Sequence, residues 1–143
     1  MEAWKLKIKE LVENMNYYLY DITFGPREGE LVLSVEIDHD DGITIDDCVK
    51  VSDVISTYLD EADPIDSSYG LEVTSAGAER ELRTYDEIKR AHGHYVYIKT
   101  FDQIYEGTLE DVTESDITIR EKNKQKTTIF MTDIELIRMA IDF

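Results

Sequence analysis

Cysteine is almost absent from this chain: Cys48 is the single one in 143 residues. An internal disulfide framework is therefore excluded, and a reducing compartment fits. No apolar run is long enough to span a bilayer. The start lacks the organisation of a signal peptide, because Trp4, Leu6 and Ile8 alternate with Lys5, Lys7 and Lys9. These absences predict a cytoplasmic protein with no membrane partner. With 42% hydrophobic residues the chain still has enough apolar side chain to pack a core.

Basic residues are also scarce, at 15 against 32 acidic ones, for a net charge of −17. The deficit is uneven. Residues 1–83 carry 20 acids and 7 bases, whereas residues 84–143 carry 12 and 8. From Glu28 to Asp66 there are 13 acids and one base, Lys50. Such a surface repels phosphate and attracts basic protein. Acid loading also keeps a small protein soluble.

Catalytic motifs are missing. There is no GxSxG elbow, no glycine-rich phosphate cradle and no cysteine in a reactive motif. The acidic loop Asp38-His39-Asp40-Asp41-Gly42 fails as a calcium-binding EF-hand. With Gly42 as the loop glycine, Ile37, His39 and Cys48 would occupy ligand positions that need oxygen. A looser magnesium site at Asp38, Asp40 and Asp41 is weaker than the alternative, carboxylates that solvate a loop or meet basic groups of a partner. His92 and His94 have no further zinc ligands at suitable spacing and read as exposed imidazoles. The expectation is no enzyme, no metal, no cofactor and no small-molecule substrate.

The pattern along the chain predicts two domains of an α+β protein. Trp4, Ile8, Leu11, Val12 and Met15 share a helical face over 2–15. A strand at 17–24 places Tyr18, Tyr20, Ile22 and Phe24 on one side. Gly25-Pro26-Arg27-Glu28-Gly29 reads as a turn. The strand at 31–37 alternates, with Leu31, Leu33, Val35 and Ile37 inward, and should complete a hairpin. Thr44 followed by Asp47 is a variant helix-start box, the apolar face continues through Cys48, Val51, Ile55 and Leu59, and Pro64 stops the helix. A strand at 69–74 completes an α-β-β-α-β domain, residues 1–83, in which two helices cover a three-stranded sheet. After a short link at 85–91, five short strands at about 94–99, 104–112, 116–121, 127–131 and 134–141 predict a small closed barrel over residues 84–143.

Two groups of residues stand out as partner contacts. Asp38, Asp40, Asp41, Asp46 and Asp47 form an acidic stretch suited to a basic protein. Arg120, Lys122, Lys124 and Lys126, opposed locally by Glu121, lie on a hairpin tip that suits RNA phosphates or serves to discourage edge pairing. Tyr95 and Tyr97 face out of the barrel if Val96 and Ile98 fill it, to stack bases or to pack against the first domain.

The junction segment Tyr69–Arg83, YGLEVTSAGAERELR, is the most specific. A strand through Leu71 and Val73 runs into Ser75-Ala76-Gly77, where glycine permits a positive φ. Charge then enters with Glu79, Arg80 and Glu81. This segment resembles the strand-and-loop signature of the bacterial ribosome maturation factor RimP family, roughly LEVSSPGxDRPL. Leu71, Glu72, Val73, Ser75, Gly77, Arg80 and Leu82 match it, Thr74 and Glu79 are conservative replacements, and Ala76 and Glu81 stand where the family usually has proline. Tyr18–Ile22 and Gly42–Cys48, with Val51, Ser52, Leu59 and Asp60, extend the resemblance over essentially the whole chain.

The resemblance implies an SH3- or Sm-like barrel in the second half and a non-enzymatic factor that binds the free immature small (30S) ribosomal subunit. The partner would be a basic ribosomal protein and also ribosomal RNA, with the factor a monomer. Ser75, Gly77 and Arg80 would join the acidic stretch as contacts. Arg80 serves either as an anchor to a partner acceptor or phosphate, or as an internal ion pair. The alternative of a different class is an Sm-like RNA-binding regulator, which the net charge disfavours. A carboxylate metalloenzyme is a third reading that no motif supports.

Overall fold

The computed structural model describes residues 2–142. The chain folds as two compact units, Met1–Ala76 and Gly77–Phe143. In the first, helix α1 (Ala3–Asn14) is followed by strands β1 (Tyr18–Arg27) and β2 (Glu30–Asp38), helix α2 (Ile45–Ala62) and strand β3 (Gly70–Ser75). The sheet order is β1-β2-β3. β1 pairs antiparallel with β2, and β2 pairs parallel with β3, so α2 is the crossover between parallel neighbours.

One apolar cluster forms the core of this unit. Ile8 and Val12 of α1 and Val51, Ile55 and Leu59 of α2 meet Ile22, Leu33, Val35 and Ile37 of the sheet. The helical spacing of the first five and the alternation of the last three bring these residues together, as the sequence predicts.

Two details of β1 differ from the sequence expectation. The β1–β2 register shifts between Leu19 and Asp21. This bulge inserts an extra residue and reverses the alternation. Tyr17 and Leu19 reach the core before it, and Ile22 and Phe24 after it, so the single face expected for Tyr18, Tyr20, Ile22 and Phe24 is split. The strand also continues through Gly25, Pro26 and Arg27, where a turn was expected. β1 is an edge strand, and proline there need cost no ladder bond. The turn is only Glu28-Gly29, with φ of 53° and 84°, the pair of positive values that a two-residue type I′ hairpin needs.

The second unit contains helix α3 (Tyr85–Arg90) and strands β4 (Tyr95–Thr100), β5 (Ile104–Val112), β6 (Asp116–Arg120), β7 (Lys126–Phe130) and β8 (Ile134–Met139). A 3₁₀ turn, Met131–Asp133, links the last two strands. All five pair antiparallel in the order β7-β6-β5-β4-β8. Val96, Ile98, Leu109, Ile117, Ile119, Ile129 and Ile137 form its core with Leu82, Ile88 and Met139.

The division falls at Ala76/Gly77, ahead of the expected boundary at 83/84. The reason is local. Leu82 is buried in the second core, Glu81 bridges to Arg138, and the Met139 N–H donates to the Arg80 carbonyl at 2.9 Å. Residues 80–82 thus behave as a short extra strand on the outer edge of β8.

Candidate functional site

The acidic stretch lies between the C-terminal end of β2 and the start of α2. β2 and β3 are parallel, with Ile37 opposite Ser75, so Asp38 and Ser75 come to the same end of the sheet. The Ala76 N–H donates to the Ile37 carbonyl at 2.9 Å and extends that pairing by one step.

At the start of α2, the sequence builds a complete capping box. The Asp47 N–H donates to Thr44 Oγ1 at 3.2 Å, and the Thr44 N–H donates to Asp47 Oδ2 at 2.8 Å. The Tyr17 hydroxyl donates to the other carboxylate oxygen, Oδ1, at 2.5 Å. With these donors, led by Tyr17, the Asp47 carboxyl is held down to about 2. The same bond pushes the Tyr17 hydroxyl up. Asp47 therefore holds the start of α2, with its capping bonds at the surface.

The other acids differ. Asp38 accepts the His39 N–H at 2.8 Å, and His39 Nδ1 accepts the Asp41 N–H at 3.0 Å. The His39 ring meets Tyr17 edge-on at 5.7 Å. These contacts shape the loop and leave Asp40, Asp41 and Asp46 exposed. Two apolar neighbours, Ile45 at 83% and Val49 at 52% exposure, stand one turn apart on α2 beside them. The sequence reading missed this pair. Only their offset from the Val51-Ile55-Leu59 face signals that they point away from the core.

In the second unit, Gly77 has φ +96°, as the junction sequence predicts. Arg80 Nη1 donates to the Gly77 carbonyl at 2.9 Å and closes the loop on itself.

The basic turn between β6 and β7 is largely neutralised. Arg120 and Lys126 both reach Glu110, at 3.3 and 3.2 Å to its two oxygens. Lys122 meets Asp142 at 3.1 Å. Lys124, at φ 70° in the turn, makes no ion pair among the described residues. The two tyrosines of β4 carry cations on their faces, Lys122 at 5.6 Å from the Tyr95 ring and Arg138 at 4.2 Å from the Tyr97 ring. Val96 and Ile98 are buried between them, as expected.

Among the described residues, no three His, Cys, Asp or Glu side chains converge as metal ligands. No helix among them is long and apolar enough to cross a membrane.

A family model, the RimP N-terminal domain, matches residues 7–79. The chain belongs to the RimP family. RimP proteins are ribosome maturation factors, and the match covers the acidic α-β-β-α-β unit with its capping box, its loop and the junction as far as Glu79. The geometry of the first unit is thus the geometry of a RimP N-terminal domain.

Proposed function

We propose that this protein binds the free, immature small ribosomal subunit in the cytoplasm and assists its maturation without catalysing a reaction. The observation that carries the reading is the RimP match over the acidic unit. The docking face consists of Asp38, Asp40, Asp41 and Asp46 around Ile45 and Val49, and the partner is a lysine- and arginine-rich ribosomal protein. Charge of this density speeds association and makes it salt-sensitive. The exposed apolar pair supplies the desolvated centre that an acidic rim alone lacks. Ser75 lies at the same end of the sheet, and Gly77 with Arg80 shapes the junction beyond it. The second unit, whose five-stranded order suits an SH3-like barrel, acts as a companion module.

A regulator that works mainly by binding RNA draws less support. Three of its four candidate cations, Arg120, Lys122 and Lys126, already have carboxylate partners. The tyrosine rings that would stack bases face cations instead.

Sedimentation of the tagged protein through a density gradient, at low and moderate salt, tests the reading. Co-migration with free small subunits, and not with assembled ribosomes, is the expected result. A protein that stays at the top of the gradient at both salts contradicts it.

A further inference from the structure

The two end strands of the second unit's sheet differ. The outer edge of β8 is covered by residues 80–82, whereas no described residue pairs with the outer edge of β7. The register shows which groups that edge presents. The Glu121 N–H bonds the Gln125 carbonyl and the Met131 N–H bonds the Ser115 carbonyl, one residue beyond each end of the β6–β7 ladder and in its register. Alternation then directs the N–H and C=O of Thr127 and Ile129 toward β6, and those of Lys126, Thr128 and Phe130 outward. An exposed edge of this kind is a template for another strand.

Beside it lies a groove of about 600 Å³, lined by Thr100, Phe101, Asp102, Tyr105, Thr128, Ile129, Phe130 and Asp133. Phe101 is 81% and Phe130 59% exposed, and Ile104 is exposed nearby. Single exposed apolar residues are ordinary, but two exposed aromatic rings lining one groove mark an interaction surface. The charged lining residues are Asp102 and Asp133, with no lysine or arginine among them. Lys126, at the far end of β7, is drawn toward Glu110.

We propose that the β7 edge and this groove form a docking site for an extended basic peptide segment. The segment adds a strand along Lys126–Phe130, seats an aromatic or aliphatic side chain between Phe101 and Phe130, and places cations near Asp102 and Asp133. Strand addition gives affinity through the backbone, and the groove gives selectivity through alternate side chains. Charge selects peptide over nucleic acid, since both lining carboxylates repel phosphate. This site stands on the second unit's geometry alone.

The test titrates the ¹⁵N-labelled full chain with the synthetic peptide Lys-Val-Lys-Phe-Lys-Val-Lys. Expected are shifts at Lys126, Thr128, Phe130 and Phe101, with slowed amide exchange at the three outward positions. N-methylation of alternate peptide residues, which leaves the protein untouched, should weaken binding by about tenfold or more, because each lost bond is worth roughly 1 kcal/mol. Phe130→Ser and the pair Asp102→Asn with Asp133→Asn should also weaken it, while Asp40→Asn with Asp41→Asn should not. The proposal is overturned by equal binding of the N-methylated peptide or of Glu-Val-Glu-Phe-Glu-Val-Glu. Shifts confined to Asp38–Asp46, the same β7 shifts with hexauridylate, or β7 shifts on concentrating the protein alone would overturn it as well.

Discussion

The Tyr17 hydroxyl lies 2.5 Å from Asp47 Oδ1 and ties the segment after α1 to the first turn of α2. One carboxylate thereby caps a helix and holds a neighbouring chain segment. The acidic loop is anchored at this point, so its remaining carboxylates project from a fixed base.

The bond has a pH signature. The Asp47 carboxyl falls from an ordinary 3.8 to about 2, so its contribution to stability is complete above pH 4–5. That contribution fades as pH falls through about 2, where the folded carboxylate takes up a proton. Tyr17→Phe should raise the Asp47 carboxyl toward its ordinary value in a ¹³C titration. The stability gap between variant and wild type, measured by urea unfolding, should be constant near neutrality and shrink below pH 4. A gap that widens in acid would contradict the assignment.

The cap itself is testable at Thr44. Thr44→Ala removes the acceptor for the Asp47 N–H and should cost about 1 kcal/mol. Amide exchange should quicken mainly in the first turn of α2. Uniform loss across both units would count against a local cap.

Gly107 is a packing prediction in the second unit. A Cβ there would lie 2.6 Å from the Arg120 carbonyl oxygen, a backbone atom that cannot swing aside. Gly107→Ala should destabilise this unit by about 1–3 kcal/mol through overpacking. Amide exchange or urea unfolding followed at β5 and β6 would report it, and an unchanged midpoint would refute it.

Glu110 restrains two cations, and its loss should expose them. Exposed ion pairs contribute little to stability, about 0–1 kcal/mol, so Glu110→Gln should fold normally. Arg120 and Lys126 then become available to phosphate. Binding to a single-stranded RNA should tighten, and each new phosphate contact should steepen the salt dependence by about 0.7 in log-log slope. Unchanged RNA binding would mean that Glu110 does not mask this turn.

How much of this was legible in the sequence depended on distance along the chain. The Thr44–Asp47 box was readable because its members are three residues apart and carry helix-start chemistry. The inward set Leu33, Val35 and Ile37 was readable for the same local reason. The bulge at Leu19/Asp21 was hidden, because an inserted residue leaves no mark on a period-2 pattern dense in tyrosine. Pro26 misled because its tolerance in β1 depends on that strand being at the edge, a fact of topology. The acidic stretch was found as a group, but Asp47's separate role required Tyr17, thirty residues away. Glu110 was likewise invisible as the partner of Arg120 and Lys126. Nothing in the spacing of Phe101 and Phe130 shows that the fold brings both to one groove.

The most direct test of the central claim is the affinity of this protein for purified immature small subunits, compared with Asp40→Lys/Asp41→Lys/Asp46→Lys. Asp47 is left intact so that the cap and the fold survive, which circular dichroism would verify. The account predicts loss of binding in the triple variant at low and moderate salt, with a native spectrum. Unchanged affinity at low salt would contradict it.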